Sequence, residues 1–119
     1  TGLKCLWLES NGIHRIENLD NQKELKCLYL QQNIIKKIEN LEPLVVLDTI
    51  NLSNNYITKL ENLSCCTKLS SLIISHNKLQ KATDIEHLVD CENLSCLDLS
   101  HNLIDDPEII TVFEKMKED

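Results

Sequence analysis

Three nearly identical pentapeptides, RIENL at 15–19 (with Ile16, Glu17, Asn18 and Leu19), KIENL at 37–41 and KLENL at 59–63, stand 22 residues apart in a chain of 119. Around them a longer pattern recurs: LKCLWLESNGI from residue 3, LKCLYLQQNII from 25, LDTINLSNNYI from 47, LSSLIISHNKL from 69 and LSCLDLSHNLI from 94. An Asn sits at the same place in every copy, at 11, 33, 55, 77 and 102, so the spacing is 22, 22, 22 and 25 residues. Self-similarity at a period of this size implies a stack of like units, each unable to bury its apolar side alone.

The slots of the repeat can be read physically. Its first six residues alternate with period two, so Leu6 and Leu8 point inward while Cys5, Trp7 and Glu9 point outward, as in a short strand. The turn that follows would bury backbone N–H and C=O groups, and Asn11, Asn33, Asn55, Asn77 and Asn102 are placed to satisfy them. Each group left unpaired costs about 1–3 kcal/mol. Beyond the turn, Ile13, Ile16, Leu19 and Leu25 are spaced by three, three and six, and the steps recur at Ile35, Ile38, Leu41 and Leu47 and at Ile57, Leu60, Leu63 and Leu69. Spacing by three predicts short 3-10 or single-turn α segments packed behind the strands. The expected fold is an α/β leucine-rich-repeat solenoid, one domain over 1–119 with five repeats starting near 3, 25, 47, 69 and 94. It has a curved parallel sheet on its concave face and short 3-10 or α segments on its convex face.

Two copies depart from the pattern. The fourth is three residues longer, and LQKATDIEHLVDCENL adds a step, predicting a true helix with Asp84 as its N-cap. In the fifth, IDDPEIITVFEKMKED offers Asp106 as N-cap, Pro107 as the first helical residue, and Ile109, Ile110, Phe113 and Met116 as an apolar face. The chain has no initiator Met and no polar unit after this last helix, as expected of a fragment of a longer protein.

Composition narrows the function. Trp7, Tyr29, Tyr56 and Phe113 are the only aromatic residues, so the core is aliphatic. No window approaches the roughly 18 apolar residues of a membrane span. Of the 12 basic and 19 acidic residues, 10 and 8 lie in 1–83 and 2 and 11 in 84–119, an acidic third that argues against binding nucleic acid. Six cysteines without a disulfide or metal spacing read as free thiols in a reducing compartment, placing the protein in the cytosol. No nucleophile elbow, phosphate loop or acid–base pair is present, so no enzyme, cofactor or small-molecule substrate is expected. His76 and His101 share a slot without converging ligands and are not assigned a metal, and Cys66 and Cys91 fall on core steps. Arg15, Lys37, Lys59 and Lys81, with Glu17, Glu39 and Glu61, read as solvated surface.

The outward strand positions remain as the candidate protein-binding face. They align as Cys5, Cys27, Thr49, Ser71 and Cys96; as Trp7, Tyr29, Asn51, Ile73 and Asp98; and as Glu9, Gln31, Ser53, Ser75 and Ser100. Five strands about 4.8 Å apart make a groove of roughly 20 Å, suited to a protein segment. Trp7, Tyr29, Asn51, Ile73, Asp98, Glu9 and Gln31 are its candidate contacts. Trp7 is either an anchor for a partner or a residue that a preceding repeat covers.

With 22-residue repeats carrying IENL, the chain resembles the SDS-type leucine-rich repeats of intracellular eukaryotic proteins. CLWLESNGIHRIENL, KKIENLEPL, INLSNNYI and LDLSHNLIDDPEI are most similar to the leucine-rich-repeat dynein axonemal assembly factors, over essentially all of 1–119. This resemblance implies a non-enzymatic scaffold for cytoplasmic preassembly of dynein arms, needed for motile cilia, with dynein chains, chaperones or co-chaperones as partners. A cilium or axoneme location is also open. The related alternatives are a regulatory or targeting subunit of a protein phosphatase and an axonemal dynein light chain.

Overall fold

The computed structural model describes residues 4–17, 19–91, 93–105 and 107–117, the last stretch without the side chains of residues 113 and 115–117. Each repeat contributes one three-residue strand: β1 Cys5–Trp7, β2 Cys27–Tyr29, β3 Thr49–Asn51, β4 Ser71–Ile73 and β5 Cys96–Asp98. The strands form one sheet in chain order, every pair parallel. Their register is that of the repeat: Cys5, Cys27, Thr49, Ser71 and Cys96 are successive partners, as are Trp7, Tyr29, Asn51, Ile73 and Asp98. The strands are short because period-two alternation lasts only until the ladder Asn, where the chain turns away from the sheet.

The inward strand residues Leu28, Ile50 and Leu72 are fully buried, as are Leu30, Leu52 and Ile74 to within 2%. Behind them lie Ile38, Leu41, Leu44 and Leu47 from one rung and Leu60, Leu63, Cys66 and Leu69 from the next, so the core is one continuous aliphatic column. Burying a side chain of this size is worth about 1.5–3 kcal/mol. The spacing by three becomes paired i to i+3 turns: Leu44 N–H donates to Leu41 O and Leu47 N–H to Leu44 O, at 3.0 and 3.3 Å. The same pair recurs at Leu19, Gln22 and Leu25, at Leu63, Cys66 and Leu69, and at Leu88, Cys91 and Leu94.

Asparagines fasten each rung to the one before. Asn55 Oδ1 accepts from Ile35 N at 2.9 Å, while Nδ2 donates to Leu30 O at 3.0 Å, Leu52 O at 2.9 Å and Ser53 O at 3.2 Å. Asn33, Asn77 and Asn102 repeat the scheme. Asn11, on the first rung, is exposed; its backbone N–H donates to Asn33 Oδ1 at 3.0 Å, while its side-chain amide donates within its own rung, to Glu9 O at 3.2 Å.

The fourth rung is longer because it holds α1, Ala82–Ile85, continued by a 3-10 helix at Glu86–Asp90. Asp84 is not its N-cap but its third residue. From inside the first turn its carboxylate accepts from Lys81 N at 2.9 Å and Gln80 N at 3.0 Å, the acidic half of a capping box. The helix starts earlier than its cap residue suggests because Ala82 is already buried against the core.

The last helix, α2, spans Ile109–Lys117. Pro107 precedes it in a turn rather than opening it, with Ile110 N–H reaching Pro107 O at 3.4 Å. Asp106 lies outside the described residues, as do the side chains of Phe113 and Met116. Ile110 is 59% exposed, not core, and Val112, 6% exposed, takes the inward position. The reason is local: Ile109, Ile110, Thr111 and Val112 are four consecutive β-branched residues, so spacing alone does not choose which faces the 3-10 helix and α1.

Asn55→Leu is expected to destabilise the stack by about 3 kcal/mol despite its greater hydrophobicity, because it orphans a buried N–H and several carbonyls. Asn11→Leu is expected to cost less than about 1 kcal/mol. Denaturant unfolding of the two variants checks this, and equal losses would contradict the ladder.

Candidate protein-binding face

The concave sheet presents three outward columns, set by the strand register. In the central one the rings of Trp7 and Tyr29 stack, centroids 4.1 Å apart and planes 17° from parallel, and Trp7 remains 60% exposed. Both rings are held by adjacent rungs of the ladder, so the pair is preorganised. Burial, then the neighbouring Cys27, pushes the Tyr29 hydroxyl above its ordinary range.

Towards the C-terminal end the column becomes polar. Asn51 Oδ1 accepts from Ser53 N at 3.1 Å and Ser53 Oγ at 2.9 Å, so its outward-facing amide is fixed. Ile73 is half-buried. Asp98 Oδ1 accepts from Ser100 Oγ at 2.7 Å and Ser100 N at 3.0 Å, and these bonds, hydroxyl first, hold the carboxyl below its usual range. His101 and His76, stacked at 4.3 Å and 8°, add a smaller pull in the same direction. Asp98 is therefore an exposed, oriented anion. Glu9 and Gln31 lie half-buried in the third column, and Gln31 Oε1 is buried without a hydrogen-bond partner among the described residues.

The outer column carries thiols. Cys27 faces Cys5 across β1 and β2, and burial, then Cys5, raises its pKa. On the convex side Cys65 and Cys66 have sulfurs 3.9 Å apart, and burial pushes Cys66 up to about 12 and Cys91 to about 11. All six cysteines are free.

The remaining polar groups bring no chemistry together. Among the described residues no three or more His, Cys, Asp or Glu side chains are grouped to hold a metal. Of the basic ladder, Arg15 reaches Glu39 at 3.6 Å with its side chain 58% exposed, a geometry worth little in water. Among the described residues no helix is long and apolar enough to cross a membrane.

One set of residues escaped the sequence reading. Asn40 and Asn62, the Asn of IENL, form a second ladder on the convex side: their Nδ2 groups donate to Ile16 O at 2.6 Å and Ile38 O at 2.7 Å. Both adopt left-handed backbone, φ 61° and 60°, where Asn is tolerated better than most residues. The signal was present in the repetition of Asn itself. Asn18, at the same place in the first repeat, lies outside the described residues. In the fourth rung this ladder is replaced: Leu60 N donates to Asp84 O at 2.7 Å and Leu63 N to His87 Nε2 at 3.0 Å. His87 thus carries its proton on Nδ1, 3.5 Å from Asp90.

A solenoid of parallel strands with an asparagine at every turn is a leucine-rich-repeat module. The model of the Leucine Rich Repeat family matches residues 93–116. One chain of the SNF/U2A′ complex of Drosophila melanogaster is 30% identical with a TM-score of 0.86, over 96% of this chain and 68% of that one. An internalin of Listeria monocytogenes is 30% identical with a TM-score of 0.81, over 96% of this chain and 33% of its own. A second Listeria monocytogenes internalin, C2, is 33% identical with a TM-score of 0.77, over 87% and 45%. The chain therefore spans a third to less than half of these two internalin chains. No curated protein matches it in sequence. The chain belongs to the leucine-rich-repeat family, whose fold is typically a non-enzymatic scaffold for protein interaction.

A thiol whose pKa is raised on folding ionises more readily in the unfolded chain. The contribution of Cys66 and Cys91 is thus complete below pH 9.0 and is lost as pH rises towards about 12 and 11. Thermal unfolding between pH 8 and pH 11 is expected to show falling stability above about pH 9, with part of the fall removed in Cys66→Ala after correction for its cavity. At neutral pH a maleimide is expected to label the exposed Cys5 and Cys96 well before Cys66.

Proposed function

We propose that the chain is a non-enzymatic scaffold whose concave sheet receives a segment of a protein partner. The observation that carries this reading is the stacked, 60% exposed Trp7 beside Tyr29 on a face that the core does not need. Rigid aromatic side chains with little conformational freedom left to lose are the usual anchors of protein interfaces. The Drosophila relative of known structure is itself part of a complex. A partner segment crossing the sheet would set an apolar side chain on the Trp7–Tyr29 pair and a basic one at Asp98.

The more specific role we infer is cytoplasmic preassembly of axonemal dynein arms, with dynein chains, chaperones or co-chaperones on the concave face. Its support is the likeness of CLWLESNGIHRIENL, KKIENLEPL, INLSNNYI and LDLSHNLIDDPEI to the dynein assembly factors. The stacking geometry accounts for a protein-binding face, and the sequence likeness supplies the choice of partner.

Affinity capture with the intact chain and with a Trp7→Ala, Tyr29→Ala double variant tests both levels. Dynein chains or chaperones are expected on the intact chain and lost from the variant, with Trp7→Ala alone weakening a purified partner by about 2 kcal/mol, roughly thirtyfold. Recovery of a protein phosphatase instead, lost in the same variant, points to the targeting-subunit alternative. Persistence on isolated axonemes after detergent extraction points to a resident light chain. Capture unchanged by the double variant would sink the concave-face reading itself.

A further inference from the structure

The position just after each ladder asparagine has no duty in the core. It holds Gly12, Ile34, Tyr56, Lys78 and Leu103, one per rung. From the second rung on, its backbone N–H is bonded to the preceding rung, to Ile13 O, Ile35 O, Ile57 O and Leu79 O, each at 2.8 Å. The side chains therefore project in register from one flank, beside the sheet rather than on it. Ile34, Tyr56 and Leu103 are 44%, 46% and 51% exposed, three large apolar groups in a single file. Lys78 Nζ lies 5.8 Å from the Tyr56 ring centroid, a cation held against the same ridge.

The charge on this flank runs against the chain as a whole. Two residues before the file stand Ser10, Gln32, Asn54, His76 and His101, and two after it His14, Lys36, Thr58, Gln80 and Asp105, all exposed. Over the first four rungs these three files contain Lys36, Lys78 and two histidines and no carboxylate, although residues 1–83 carry eight carboxylates beside ten basic residues and the whole chain has a net charge of −7.

We propose that this flank is a docking surface for an acidic amphipathic helix of a protein partner. Charge complementarity selects the acidic partner, and the spacing selects the helix. Rungs recur about every 4.8 Å, close to the roughly 5.4 Å rise of one helical turn, whereas same-face residues of an extended strand recur about every 6.7 Å. A helix with apolar residues at i and i+4 meets Ile34 and Tyr56, an acidic residue at i+7 meets Lys78, and an apolar residue at i+11 meets Leu103. The surface shares no residue with the concave face, so the two readings fail independently.

Fluorescence anisotropy with a synthetic helical peptide tests it: Leu at i, i+4 and i+11, Glu at i+7 and at flanking positions, Ala elsewhere. The peptide is expected to bind, more weakly as salt is raised from about 50 to 300 mM. Ile34→Ser with Tyr56→Ser, and separately Lys36→Glu with Lys78→Glu, are expected to weaken binding at least about tenfold while thermal unfolding is unchanged, since all four side chains are exposed. The proposal is overturned by no binding up to about 1 mM, a very weak affinity, by equal binding of a Lys-for-Glu peptide, or by undiminished binding to both variants. Self-association of the chain in sedimentation, abolished by the same substitutions, would overturn it by assigning the ridge to a second copy.

Discussion

The asparagine side chain that spans two rungs is the interaction on which the rest of this structure depends. A turn that leaves a three-residue strand and immediately enters an apolar column carries backbone groups out of water, and no regular secondary structure is there to pair them. Asn33, Asn55, Asn77 and Asn102 each donate to carbonyls of their own and the preceding rung and accept from N–H groups of the preceding rung. A bond that reaches one rung back fixes the rise and rotation between rungs. Register in the sheet, continuity of the leucine column and the alignment of surface files all follow from that fixed step.

The same constraint explains the backbone just before each asparagine. Ser10, Gln32, Asn54, His76 and His101 all have φ between 56° and 60°, although Ser and Gln are not among the residues enriched in that region as Asn and His are. Residues of such different chemistry share a conformation that most L-residues avoid because the ladder leaves the turn no other path. On the convex side Asn40 and Asn62 make the equivalent connection, and where that asparagine is missing the chain lengthens. The extra length of the fourth rung forms α1 and the 3-10 helix, and Asp84 O and His87 Nε2 supply the acceptors that reach back to the third rung.

What the sequence made legible was what the fold repeats. Leu28, Ile50 and Leu72 show themselves by alternation, Ile38, Leu41 and Leu47 by steps of three, and Asn33, Asn55 and Asn77 by period. The register of Trp7, Tyr29, Asn51, Ile73 and Asp98 follows from the same arithmetic. Legibility failed where local cues compete. Asp84 carries the mark of a cap but acts from within the helix, and Ile110 resembles its buried neighbours in every property except direction. Asn40 and Asn62 sit among Lys and Glu, where no step of the apolar pattern singles them out, although their backbone conformation and their bonds mark them as structural. The stacking of Trp7 on Tyr29 and the flank file of Ile34, Tyr56 and Leu103 are spatial facts. No periodic constraint acts on those positions, which is why Gly12 and Lys78 occupy the same file.

That freedom bears on function. Where the ladder already holds the backbone, an outward side chain adds little to folding, and leaving a large apolar group in water costs roughly 25 cal/mol for each Å² that burial would have hidden. Trp7 on the sheet and Ile34, Tyr56 and Leu103 on the flank are thus unburied for no benefit to this fold. The two surfaces also differ in charge: the sheet ends at Asp98, an anion held ready by Ser100, while the flank carries Lys36 and Lys78 without a carboxylate until Asp105. On the two proposed readings, a single uniformly charged partner segment would suit one of these surfaces and be repelled by the other. The geometry is that of a bar with two dissimilar edges, and the two proposed docking surfaces would hold different segments at a separation that the asparagine spine fixes.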